Sequence, residues 1–170
     1  MHQNVEIKAS CKEPANIRNW IREHNGILKG TDHQVDTYFR VVQGRLKLRQ
    51  GNIENALIYY ERENTAQPKL SKVVMTPLTG DTEKLKEVLT ASNGIKVVVN
   101  KQREIWFIDN VKFHIDQVDD LGGFVEIEAI DAEGNLGFDH IQQQCSFYMQ
   151  QFNILPEHLL THSYSDLLLK

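Results

Sequence analysis

Most of this chain alternates apolar and polar residues with period two, which is the pattern of strands that bury one face. The alternation predicts strands near 4–10, 34–41, 44–50, 56–63, 69–76, 95–109, 111–118 and 123–131. Gln43-Gly44 and Asp109-Asn110 read as tight hairpin turns, so the strands they join should be antiparallel. Helical spacing is rarer. Pro14 suits a first helical position, and Ile17, Trp20, Ile21 and His24 follow at one face before Gly26 stops the run. A second helix is expected from Asp81, as its cap, to Asn93-Gly94, burying Leu85, Val88 and Leu89. A third starts near Asp139 with Ile141, Cys145, Tyr148, Met149 and Phe152 on or beside one face. Short helical pieces after Pro156 and over 166–169 end the chain. The expected class is α+β, dominated by an antiparallel sheet.

With 170 residues and no repeat or linker, residues 1–170 read as one domain. The net charge of −4 attracts neither nucleic acid nor an anionic membrane, so any anion site must be local. The N-terminus lacks the apolar run of a signal peptide, and no stretch has the length of a membrane span. A cytoplasmic protein with Cys11 and Cys145 as free thiols is expected.

The strand faces carry the functional signal. Asn4, Glu6 and Lys8 share one face, as do Arg45, Lys47 and Arg49, Tyr60 and Arg62, Lys101 and Arg103, and Lys112, His114 and Asp116. In the last strand Glu126 and Glu128 oppose Val125 and Ile127. One reading is a sheet packed on one side with its charges in water. The other is a sheet of eight strands curled into a closed barrel, apolar faces outward under the helices and charged faces across a lumen. Those faces hold eight bases and four acids, a formal +4 inside a chain of −4. Enclosed, they would call for a polyanion with a divalent cation or two.

Six segments in order resemble the CYTH family, the triphosphate tunnel metalloenzymes. Asn4-Val5-Glu6-Ile7-Lys8 is similar to the family's acid-x-acid-x-Lys strand, and the segment His33 to Phe39 resembles the HxxDxYF-like strand of its class IV adenylate cyclase branch. Gly44 to Arg49 resembles its basic strand, Ile115 to Val118 its Asp-containing hairpin, Leu121 to Glu128 its closing Glu-x-Glu strand, and Ser163 to Leu168 its terminal helix. The resemblance implies an eight-stranded antiparallel tunnel that binds ATP or another triphosphate with Mg²⁺ or Mn²⁺. It implies Lys8, Lys47, Arg49, Lys101 and Arg103 as phosphate ligands, with Arg62 substituting for a missing lysine, and Glu6, Glu126 and Glu128 as metal ligands. Asp116 would join the metal or position the attacking group, acting in catalysis with Lys8 and Arg103. A homodimer follows from family analogy alone. Two positions depart from the pattern: Asn4 replaces a carboxylate, and Tyr60 stands where an inward lysine is usual.

Three functions remain open on this reading: a cyclase that converts ATP to cyclic AMP and pyrophosphate, a triphosphatase, and a non-catalytic nucleotide- or polyphosphate-binding module. Tyr38, Phe39, Trp106 and Phe107 read as core, and His114 as either a general base or a wall residue. Asp131 to Asn135 reads as a polar turn and not as a calcium loop.

Overall fold

The computed structural model describes residues 2–65 and 67–170. Its eight strands are β1 (His2–Ser10), β2 (Ile27–Phe39), β3 (Arg45–Gln50), β4 (Ala56–Arg62), β5 (Lys69–Pro77), β6 (Ile95–Ile108), β7 (Val111–Val118) and β8 (Gly122–Asp131). They close into an antiparallel barrel in the order β1-β5-β4-β3-β2-β6-β7-β8. Closure leaves no free edge and gives each strand an inside and an outside.

Helices α1 (Pro14–Glu23) and α3 (Phe138–Gln151) cover the outer face of β1, β7 and β8. Val5, Ile7, Val111, Phe113, Val125 and Ile127 point outward there and pack with Ile17 and Ile21 of α1 and Ile141 and Cys145 of α3. Phe113 is fully buried beneath Tyr148 and Phe152, which meet its ring edge-on. Burying such a ring contributes about 2–3 kcal/mol. The larger hydrophobic core therefore lies between barrel and helices, while a second buried cluster that includes Tyr38, Ala56, Ile58 and Tyr60 lies on the lumen side together with the polar faces.

Several boundaries differ from the periodicity. β2 begins at Ile27, because its first half pairs with the far end of β6 through a bulge between Leu28 and Gly30, where Gly30 has φ 147°. The Gln43-Gly44 turn belongs to a longer connection between Phe39 and Arg45, whereas Asp109-Asn110 is a two-residue turn. Helix α2 (Glu83–Asn93) follows Thr82, with the Asp81 carboxylate accepting the Glu83 N–H at 2.9 Å. It buries none of its residues: Leu85 and Leu89 are half-buried and Val88 is exposed, since α2 lies across little of the barrel. Cys11 and Cys145 are both free. The Asp131 carboxylate accepts the backbone N–H groups of Asn135, Leu136 and Gly137, which makes this segment a self-satisfied turn.

Candidate active site in the barrel lumen

The lumen is a cavity of about 560 Å³ lined by residues from all eight strands. Of the sequence-derived site residues, Glu6, Lys8, Lys47, Arg49, Arg62, Lys101, Arg103, Glu126 and Glu128 line it together. Asp116 stands apart. Its carboxylate is buried behind Arg103, accepting Nε at 2.7 Å and the guanidinium NH2 at 2.6 Å, and it also accepts the Tyr164 hydroxyl at 2.7 Å. It lines a separate outer pocket with Ser10 and Gln117.

Two acids that the charge count on the strand faces omitted also point inward. Asp36 of β2 is almost wholly buried and accepts hydrogen bonds from Lys47 at 3.0 Å, Lys101 at 2.9 Å and both Nε and NH2 of Arg49 at 2.9 Å. Three cations share one carboxylate. Burial works against its charge, yet Arg49, Lys101 and Lys47 hold it well below the usual carboxylate range. Burial lowers Lys101 in turn to about 7 despite Asp36, with Arg103, Arg49 and Lys47 repelling its charge. Period two from Tyr38 places Asp36 on the Tyr38 face, a signal present in the sequence but hidden by treating that strand's aromatics as core. Tyr38 itself lines the cavity, its hydroxyl 3.4 Å from that of Tyr60 and 3.5 Å from the Lys47 ammonium.

Glu54 lies on the β3–β4 connection, where alternation carries no information. It bridges Arg49 at 3.0 Å and Lys112 at 2.5 Å. Asp32 places it there: this buried carboxylate accepts the backbone N–H groups of Asn52, Ile53 and Glu54 at 2.8–2.9 Å. Gly51 lets the loop approach, since a Cβ would come within 2.7 Å of the Asp32 oxygens. Arg45 pairs with Asp166 of α4 (Tyr164–Leu168) at 2.9 Å rather than with the lumen acids.

Each of the eight bases thus has an acidic partner. Adding Asp36, Glu54 and Asp166 to the four acids of the strand faces reduces the expected +4 to +1. The excess is local: around Asp36, one negative charge meets three positive ones.

The acids of β1 and β8 form the opposite wall. Glu126 accepts from Lys8 at 2.7 Å, Arg103 at 3.0 Å and His114 Nδ1 at 2.7 Å. Burial, with Arg103 adding to it, depresses the His114 imidazole to about 4, so Nδ1–H donates and the buried Nε2 keeps a lone pair with no partner. Glu6 and Glu128 face each other across the β1–β8 ladder. Glu6 pairs with Arg62, and Glu128 accepts the Asn4 amide N–H, while the Asn4 Oδ1 is buried with no partner. Among the described residues no three His, Cys, Asp or Glu side chains are gathered as a metal cage. Two neighbouring carboxylates beside an orphaned amide oxygen are nevertheless hard-oxygen donors of the kind a divalent Mg²⁺ or Mn²⁺ takes.

The CYTH domain family model matches residues 2–164. No curated protein matches the chain. Among solved structures, the PH1012 protein of Pyrococcus horikoshii OT3 superposes with a TM-score of 0.80 at 19% identity, covering 98% of this chain and 99% of that one. A Vibrio parahaemolyticus protein described as a candidate adenylate cyclase gives 0.80 at 18% identity, covering 98% of each. The Hippeastrum protein HpAC1, described as an adenylyl cyclase candidate with dominant triphosphatase activity, gives 0.63 at 12% identity over 99% and 94%. At these identities the likeness concerns the fold.

Proposed function

The chain belongs to the CYTH domain family, and from that premise we propose that its lumen binds a triphosphate with a divalent cation and cleaves it at phosphorus. The carrying observation is the trio Lys47, Arg49 and Lys101 gathered on one buried carboxylate inside a closed barrel. A phosphate chain is a far better match for that trio than Asp36 alone: Arg49 supplies a planar fork and the lysines point charges. Lys8 of β1 and Arg103 of β6, which share Glu126, suit the oxygens where negative charge accumulates in phosphoryl transfer. Arg62 can turn from Glu6 to phosphate when Glu6 is engaged elsewhere.

Glu6 and Glu128, with Asn4 Oδ1, would hold the cation, and Glu126 would join them on giving up one of its three donors. The ion would supply charge neutralisation on the phosphate oxygens. Asn4 brings no charge, which favours one ion over two. Asp116 serves as a positioning residue, holding the Arg103 guanidinium flat and in place.

The first reading is a cyclase: the ribose 3′-hydroxyl attacks the α-phosphorus, the new O–P bond forms, the α–β bridge breaks and pyrophosphate leaves. His114 Nε2 is the assigned acceptor for the hydroxyl proton; its low basicity is tolerable where positioning and electrostatics dominate the barrier. Replacing the hydroxyl by water gives a triphosphatase, a reading supported by the activity described for HpAC1. The test is incubation with ATP or inorganic triphosphate plus Mg²⁺ or Mn²⁺, assaying cyclic AMP, pyrophosphate and phosphate separately. Glu128→Gln should lower turnover at least about a hundredfold, the scale on which even outer partners of a metal act, with the melting temperature little changed. A fully active variant would overturn the metal assignment, and ligand-dependent stabilisation without turnover would make the protein a binding module.

A further inference from the structure

The lumen is not charged all round. The inward residues of β4 and β5 pair across their ladder as Ala56 with Pro77, Ile58 with Met75 and Tyr60 with Val73; Tyr60 brings a hydroxyl beside that of Tyr38, and polar side chains follow at Arg62 and Ser71. In the barrel order these two strands lie across from β6 and β7, which carry Lys101, Arg103, Lys112 and His114. Along its length the panel also borders the β3 cations directly, Ile58 opposite Lys47 and Ala56 opposite Arg49. Toward the end of the barrel formed by the close of β5 and the β3–β4 loop, Ile53, Leu78 and Ile130 continue the apolar surface. The other end is occupied by α4, whose Tyr164 ring lies 3.6 Å from the Lys8 ammonium and whose hydroxyl holds Asp116.

A site for bare inorganic triphosphate has no use for such a wall, because an apolar panel beside phosphate raises the desolvation cost and returns nothing. We propose, on the footing that the cations bind phosphate as argued above, that the β4–β5 panel is a subsite for the organic body of a nucleoside triphosphate, read mainly by apolar contact, with Lys29 and Asn55 at its rim. Ile58 and Met75 are its centre. The phosphates lie on the Lys47, Arg49 and Lys101 side, and the base lies on the panel toward the end flanked by Ile53 and Leu78. The cavity volume is in the range used for ligands larger than a bare anion.

Two consequences are measurable. Organic triphosphates should bind more tightly than the inorganic one, by about tenfold for the apolar area of one ring. Discrimination among bases should be weak, since a site rejects the wrong base strongly only where buried polar groups read its edges, and the centre of the panel offers none.

The experiment is competition binding of ATP, GTP, UTP and inorganic tripolyphosphate, with Mg²⁺, to wild type, Met75→Asn and Ile58→Thr. Met75 is half exposed, so its variant should fold normally; Ile58→Thr tests the interior. The expected result is three nucleotides within tenfold of one another, all at least about tenfold tighter than tripolyphosphate. In either variant that margin should shrink to threefold or less while tripolyphosphate binding holds. Equal affinity for ATP and tripolyphosphate, a strong preference for one base, or equal losses for all four ligands in Met75→Asn would overturn the subsite while leaving the phosphate cradle intact. Failure of all four ligands to bind wild type would overturn both.

Discussion

Asp36 sets the electrostatics of the lumen because one carboxylate must serve three cations. Lys101 is the least well compensated: it is buried, shares its acid with Lys47 and Arg49, and is pushed down to about 7. In the unfolded chain a lysine titrates near 10.4. Between about 7 and 10.4 the unfolded chain therefore holds a proton that the folded one lacks, and stability without ligand should rise with pH across that window. A bound polyanion favours the charged ammonium, so tripolyphosphate binding should take up a proton and weaken as pH rises above 7. Denaturant melts from pH 6.5 to 9.5, and calorimetry in buffers of different ionisation enthalpy, check both signs. Lys101→Met should flatten both dependences; unchanged slopes in that variant would place the proton elsewhere. The same residue shows what alternation reveals: Lys101 and Arg103 were legible as one face, but Asp36, two positions from Tyr38, was not, because an isolated acid in an aromatic strand reads as a surface group until its partners are known.

At the scale of elements, the β3–β4 connection illustrates how a loop becomes part of a site. Asp32 sits midway along β2 and captures three consecutive N–H groups of the loop, which fixes Glu54 between Arg49 and Lys112. Asp32→Ala leaves those donors to water or to no acceptor, and should cost about 3 kcal/mol in a urea melt while weakening tripolyphosphate binding through a displaced Glu54. A loss well below 1 kcal/mol would mean that the loop satisfies its donors without Asp32. The helices divide by the same logic. α1 and α3 present stripes that the barrel exterior needs, and their apolar spacing named the buried residues Ile17, Ile21, Ile141 and Cys145. In α2 an equally regular stripe is left half-covered, since spacing describes the helix and not the surface available to receive it.

For the whole molecule, internal pairing of the eight strand-face bases predicts a fold that does not need its ligand. Metal- and phosphate-free protein should unfold cooperatively, and tripolyphosphate at a hundred times its Kd should add only about 2.7 kcal/mol. A chain that is unfolded until a polyanion is added would restore the larger charge imbalance counted from the strand faces alone. No helix among the described residues is long and apolar enough to cross a membrane. What the sequence determined by itself was local and periodic: eight alternating strands, the two faces of each, and which charged residues travel together. Period two cannot say which face turns inward, because an open sheet and a barrel share the same alternation. Only the tertiary structure decided that the apolar faces pack outward beneath α1 and α3. The β2–β6 ladder brought Asp36 to Lys101, 65 residues on, while closure brought Glu54 to Lys112, 58 residues on, and set an apolar panel opposite a charged one. Those pairings depend on register around a closed ring, which no single strand encodes.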